Sequence, residues 1–172
     1  MTYIPSKVED KNAEGFYQSR QKMFDYVLDR IYEQGEQSVD PEEGGCAYVG
    51  RTKEDGFVCH CAVGWLLPDR IYELITADGA DDRSHPRYVN GLGIGELFAV
   101  FEQPGFPDLP FDIKDIKFLN ALQGSHDAAI MYTSGDTFRW QYIHHMKSDA
   151  EEYYLDLSGV EYYEAKLRII PI

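Results

Sequence analysis

Met23, Val27 and Ile31 recur at i, i+4 and i+8, and Phe24 and Leu28 widen the same apolar stripe. That period belongs to a helix and not to a half-buried strand, so it predicts an amphipathic helix over Glu14–Gln34 with one face turned to a core. Asp25, Asp29, Arg30 and Glu33 fall largely off the stripe and read as its solvent side, and Gly35 reads as its stop. A second helix is signalled by Asp112 as N-cap, followed by Ile113, Ile116, Leu119, Leu122, His126 and Ile130 at helical spacing. A third runs from Asp136 to about Tyr154, with Phe138, Tyr142 and Met146 on its apolar side. Shorter helical segments are expected at Ile71–Ile75 and Glu96–Glu102. The apolar run Cys61–Leu67, closed by Pro68, reads as a buried helical turn.

Other segments change period. Cys46–Val49 and Phe57–His60 are β-prone and are separated by Gly50 and Asp55-Gly56, which predicts a hairpin with a longer loop. Near the end, Tyr163, Ala165, Leu167 and Ile169 alternate with Glu164, Lys166 and Arg168, a strand pattern placed within residues 160–170. That strand is expected to join the hairpin, because two strands alone are barely stable in water. The expectation is therefore α+β: an amphipathic helical cluster packed on a small antiparallel sheet. Asp78 to Gly93 reads as loop. Met1–Lys11, charged and without periodicity, reads as an arm that docks or stays mobile.

At 172 residues with no repeat or long linker, one domain over 1–172 is expected. Thirty Asp and Glu against sixteen Lys and Arg give a formal charge of −14. Direct nucleic-acid binding and adhesion to anionic membranes are disfavoured, because both draw on cations. Aromatics at 14% argue against disorder. No apolar run approaches the roughly 18–20 residues of a membrane span, and the N-terminus has no signal-peptide character. Three cysteines cannot all pair within the chain, so reduced thiols and a cytoplasmic setting are expected.

Several segments carry a family likeness. Gln34-Gly35-Glu36-Gln37-Ser38-Val39-Asp40 precedes Gly45-Cys46-Ala47-Tyr48; Cys61-Ala62-Val63-Gly64-Trp65-Leu66-Leu67-Pro68-Asp69 follows. Leu119-Asn120-Ala121-Leu122-Gln123-Gly124-Ser125-His126-Asp127 and a Trp-led helix from Trp140 to Leu155 complete the set. Together, over about Met23 to Leu155, these resemble a family of small uncharacterised bacteriophage proteins. Trp65 stands where many relatives carry cysteine, and the insert around Asp78 to Asn90 departs from the pattern. The resemblance implies a phage origin and, in the host cell, a cytoplasmic protein; it implies no chemistry.

The chemistry-shaped constellation is Cys61 with His126 and Asp127. A thiol at a helix start beside an imidazole is the layout of a cysteine-dependent hydrolase or transferase. Asp127, adjacent to His126 on a helix, is expected to diverge from it by about 100° and to orient it poorly. The apolar run around Cys61 favours a packing thiol over a nucleophile. Cys46, Cys59, His60, Cys61, His85 and His126 supply no pair of Cys-x₂₋₄-Cys knuckles, and no metal or cofactor is expected. Gly91-Leu92-Gly93-Ile94-Gly95 lacks the lysine and order of a phosphate loop and reads as a turn.

Glu151, Glu152, Tyr153, Tyr154, Glu161, Tyr162, Tyr163 and Glu164 form an acidic–aromatic stretch. Its plain reading is a solvated face with half-buried tyrosines. Its functional reading is a surface that docks on a basic host protein. The leading expectation is a phage accessory protein that inhibits a host component in anti-defence or host takeover, more a binder than an enzyme. The cysteine enzyme is the alternative, and a virion component a third.

Overall fold

In the computed structural model, residues 3–40, 47–50, 52–77, 84–129 and 135–168 are described. Seven α-helices follow one another among them: α1 (Arg20–Gln34), α2 (Ala62–Leu66), α3 (Asp69–Ile75), α4 (Ile94–Phe101), α5 (Ile116–Ala128), α6 (Asp136–Glu152) and α7 (Ser158–Arg168). Short 3₁₀ turns at Val8–Asn12 and Ile113–Asp115 precede α1 and α5. The architecture is helical, which overturns the expected α+β class and its antiparallel sheet.

The sheet fails at both of its predicted parts. Where the hairpin was expected the chain does double back, with Thr52 bridged antiparallel to Val58 and Gly50 N–H donating to the Cys59 carbonyl at 2.8 Å. Two further backbone bonds cross it, Lys53 N–H to the Phe57 carbonyl at 2.7 Å and Cys61 N–H to the Ala47 carbonyl at 3.0 Å, and side chains take up other backbone groups that a sheet would pair. The Asn90 amide accepts from Val49 N–H at 3.2 Å and donates to the Val49 carbonyl at 3.0 Å, as a neighbouring strand would. Gln34 does the same for the backbone of His60, accepting its N–H at 2.9 Å and donating to its carbonyl at 3.1 Å. Cys46, the first residue of the predicted hairpin, lies outside the described residues.

The C-terminal strand is instead α7. Val160 and Tyr163 are buried and Leu167 is half-buried, a 3–4 spacing that competes with the alternation and wins because one side faces α1 and α6. Gly159 is needed there: a Cβ at that position would sit 2.8 Å from the ring of Tyr3. Ile169, the last residue of the alternation, lies outside the described residues.

α1 is the central element, packed by α2, α5, α6 and α7. Ser19 caps it by accepting Lys22 N–H at 3.2 Å, so the helix starts later than Glu14. Its predicted solvent side is in fact largely covered: Glu33 is exposed, but Asp29 and Arg30 are buried. The N-terminal segment and α7 lie over them. Asp29 accepts from the hydroxyls of Tyr3 and Tyr163, each at 2.8 Å, and from Ser6 N–H at 2.6 Å, while Arg30 donates to the Ser6 carbonyl at 2.7 Å. Farther along, Lys11 reaches the Leu67 carbonyl at 2.9 Å. The arm is thus docked across α1 from α7 to the α2–α3 junction. The buried apolar side chains, from Phe16 and Phe24 through Leu66, Phe118 and Tyr142 to Val160, form one contiguous cluster.

Candidate functional site

Cys61 and His126 both lie in the interior, committed to different backbone partners. Cys61 is the N-cap of α2: its Sγ accepts Gly64 N–H at 3.4 Å and its own N–H donates to the Ala47 carbonyl at 3.0 Å. Gly64 is a glycine because a Cβ would stand 2.4 Å from the Tyr48 carbonyl oxygen. On α5, His126 accepts Ser38 N–H at its Nε2 at 3.2 Å, and its Nδ1 lies 3.0 Å from the Asp127 carboxylate. Those partners assign the neutral, Nδ1-protonated imidazole. No hydrogen bond joins Cys61 to His126, and neither ring nitrogen is left to act as a base toward the thiol.

Asp127 does orient His126, contrary to the expectation from their adjacency. The two Cβ directions diverge, but Gln123, one turn earlier, donates from Nε2 to Asp127 Oδ1 at 2.7 Å and draws the carboxylate back over the ring. The other end of the same amide accepts Val63 N–H at 3.3 Å, which ties α5 to the start of α2.

Gln34, Ser38 and Gln123, none of them singled out as site residues, are what hold this region together. Gln34 Oε1 accepts from His60 N–H and from Trp65 Nε1 at 3.0 Å, and its Nε2 donates to the Glu36 carbonyl at 2.8 Å. The available signal was position: Gln34 continues the Met23–Val27–Ile31 stripe at i+3, as a polar residue on an apolar face. His60 is buried against Trp65 and Tyr72, and its Nδ1 lies 2.8 Å from the Tyr48 carbonyl. Burial, only partly offset by that bond, holds its pKa down at about 4. The Cys59 thiol lies 3.6 Å from the Glu36 carboxylate. Among the described residues no three His, Cys, Asp or Glu groups are placed to hold a metal ion.

The acidic–aromatic stretch splits in two. Tyr163 is core: besides its bond to Asp29, it stacks on Tyr32 with centroids 3.9 Å apart. Tyr153 packs edge-on against Phe118 beneath Arg20, and Tyr162 lies against Tyr3 with Lys166 over it. Glu164 pairs with Lys147 at 3.3 Å. What faces solvent is Glu151, Glu152, Tyr154 and Glu161.

Tyr154 is the unusual member. It is 96% exposed, and its φ of 56° is the one positive value among the described non-glycine residues. The surrounding bonds define the cause: Leu155 N–H donates to the Ala150 carbonyl at 2.8 Å and Tyr154 N–H to that of Glu151 at 3.4 Å. This is a Schellman motif with tyrosine at the left-handed position, where glycine is the rule. α1 ends the ordinary way, with Gly35 at φ 67°. The charges at the end of α6 are also reversed. Its last turn carries Glu151 and Glu152 and no basic residue, although the negative end of a helix favours cations. α7, by contrast, ends in Lys166 and Arg168. Among the described residues, no cation lies in ion-pair range of Glu151 or Glu152.

No protein-family model, no curated protein and no solved structure matches this chain. No helix among the described residues is long and apolar enough to cross a membrane.

Proposed function

We propose that this chain is a binding protein that docks a basic partner at the α6–α7 turn, through Tyr154 with Glu151 and Glu152. The observation that carries the reading is Tyr154 itself. A tyrosine held in left-handed backbone, fully in solvent, contributes nothing to packing and destabilises its own turn by about 1 kcal/mol relative to glycine. Two carboxylates at the wrong end of a helix add to that local cost. Residues that break local rules without a structural return mark places kept for another purpose. Exposed tyrosine is also a common anchor of protein interfaces. A net charge of −14 selects a basic partner.

Together with the motif resemblance, the reading is of a phage accessory protein acting on a host component, in anti-defence or host takeover. The engaged thiol and imidazole of Cys61 and His126 give the cysteine-enzyme reading no support.

The test uses the wild-type chain and Tyr154→Gly as parallel baits in bacterial lysate. Glycine fits the turn, so the variant's melting temperature stays level or rises. A basic protein held by the wild type, released as salt rises and absent from the variant supports the reading. The same proteins on both baits would overturn it.

A further inference from the structure

Resting on that reading of the turn, we propose that the group it receives is an arginine of the partner, stacked on Tyr154 and paired with Glu151 or Glu152. The chain repeats this arrangement within itself. Arg20 lies over Tyr153, 5.8 Å from the ring centroid, and donates from Nε to Asp115 at 2.8 Å. Arg30 lies over Tyr26 at 5.8 Å and pairs with Glu33 at 2.8 Å. Arg139 lies over Tyr32 at 5.3 Å, donates to the Tyr32 carbonyl at 2.7 Å and pairs with Asp136 at 3.1 Å. In each, an aromatic face and an oxygen acceptor together hold a guanidinium.

Tyr154 offers the same face in the turn that follows Glu151, Glu152 and the negative end of α6, with no cation among the described residues over it. Arginine suits the turn better than lysine because its planar fork stacks and accepts a carboxylate at once, and because it is the more weakly hydrated cation. The footprint extends back along α6. At 100° per residue, Trp140, His144, Lys147 and Glu151 return to within about 60° of one another over about 16 Å, and the charge of Lys147 on that stripe is paired with Glu164 at 3.3 Å. Trp140 is 48% exposed on that stripe. An arginine-bearing segment lying along α6 therefore passes Trp140 before it reaches Tyr154.

Fluorescein-labelled nona-arginine and nona-lysine, titrated with the full chain at about 0.15 M salt, test the inference by anisotropy. Nona-arginine is expected to bind about 2- to 5-fold more tightly. Tyr154→Gly should erase that difference, and Glu151→Gln with Glu152→Gln should weaken both peptides. Tryptophan emission reads the location, because Trp65 is buried and bonded to Gln34 whereas Trp140 is open. The emission change on binding should vanish in Trp140→Phe. Equal affinity for both peptides, or an arginine preference that survives Tyr154→Gly, overturns the inference. A Tyr154-dependent partner still captured from lysate would show that the failure belongs to arginine alone and not to the turn as a binding surface.

Discussion

The polar residues around Gln34 and those around Tyr154 obey opposite rules. At Gln34 both amide atoms are bonded twice, to groups that burial would otherwise leave unpaired. Gln123 and His126 are engaged in the same manner. At Tyr154 a ring and two carboxylates stand in water, in a backbone conformation and at a helix end that both disfavour them. A site built for folding satisfies itself, whereas a site built for a partner leaves its groups unsatisfied until the partner arrives. The contrast separates residues that look alike in sequence: Tyr163 belongs to the first kind, and the docking site we propose would place Tyr154 in the second.

The sharpest way to break the comparison is Gln34→Leu. It orphans the buried His60 N–H and Trp65 Nε1, and at about 1–3 kcal/mol for each stranded group a loss of about 3–4 kcal/mol is expected in urea unfolding. A loss below about 1 kcal/mol would mean the amide is replaceable.

Next in size is the pH response of His60. Its folded pKa lies near 4, whereas the unfolded imidazole takes a proton near 6.5. The unfolded state therefore binds more protons between those values, and the stability this neutral histidine carries is complete above about pH 6.5 and lost as pH falls toward 4. Buried carboxylates work the other way. Burial raises Asp25 to about 7 and Asp29 upward, so their contributions decline as pH rises from 4. Comparison with His60→Gln isolates the imidazole: between pH 6.5 and 4 the wild type should lose about 2 kcal/mol relative to the variant. Parallel pH profiles for the two would refute the assignment.

Cys61→Ala should lower stability by about 1 kcal/mol and keep the fold, as expected for a buried thiol whose cap is weak. In the folded wild type, Cys61 should resist alkylation by iodoacetamide until the chain unfolds. Fast labelling of the native protein would return the thiol to consideration as a nucleophile.

The smallest effect is the most diagnostic. Glu151→Gln with Glu152→Gln, at the negative end of α6, should raise stability by about 0.5 kcal/mol. Glu161→Gln, in the first turn of α7, should lower it by a few tenths of a kcal/mol. The same chemical change with opposite signs would establish that Glu151 and Glu152 are placed against the fold's interest. Equal signs would remove that argument.

Much of the helical frame was legible in the residues alone. Apolar spacing placed α1, α5 and α6, Pro68 closed the Cys61 run after α2, and Asp112 does cap the turn that leads into α5, accepting Lys114 N–H at 3.0 Å. The formal charge of −14 was legible as a plain sum over the residues. Those features are local or summed over the chain, so no neighbour had to be known to read them. The tertiary structure decided the rest. The tail segment alternates in sequence yet folds as α7, because Val160 and Tyr163 gain a buried face only when α1 lies beside them. Asp29 and Arg30 read as solvent-facing until the N-terminal segment crosses them and supplies Ser6 and Tyr3. Asp127 turns toward His126 because Gln123 pulls it there. Tyr154 looked like one tyrosine among four until the backbone put it alone in the left-handed position. Sequence spacing records which side of a helix a residue occupies; which groups arrive to meet it depends on contacts tens of residues away, and those exist only in the folded chain.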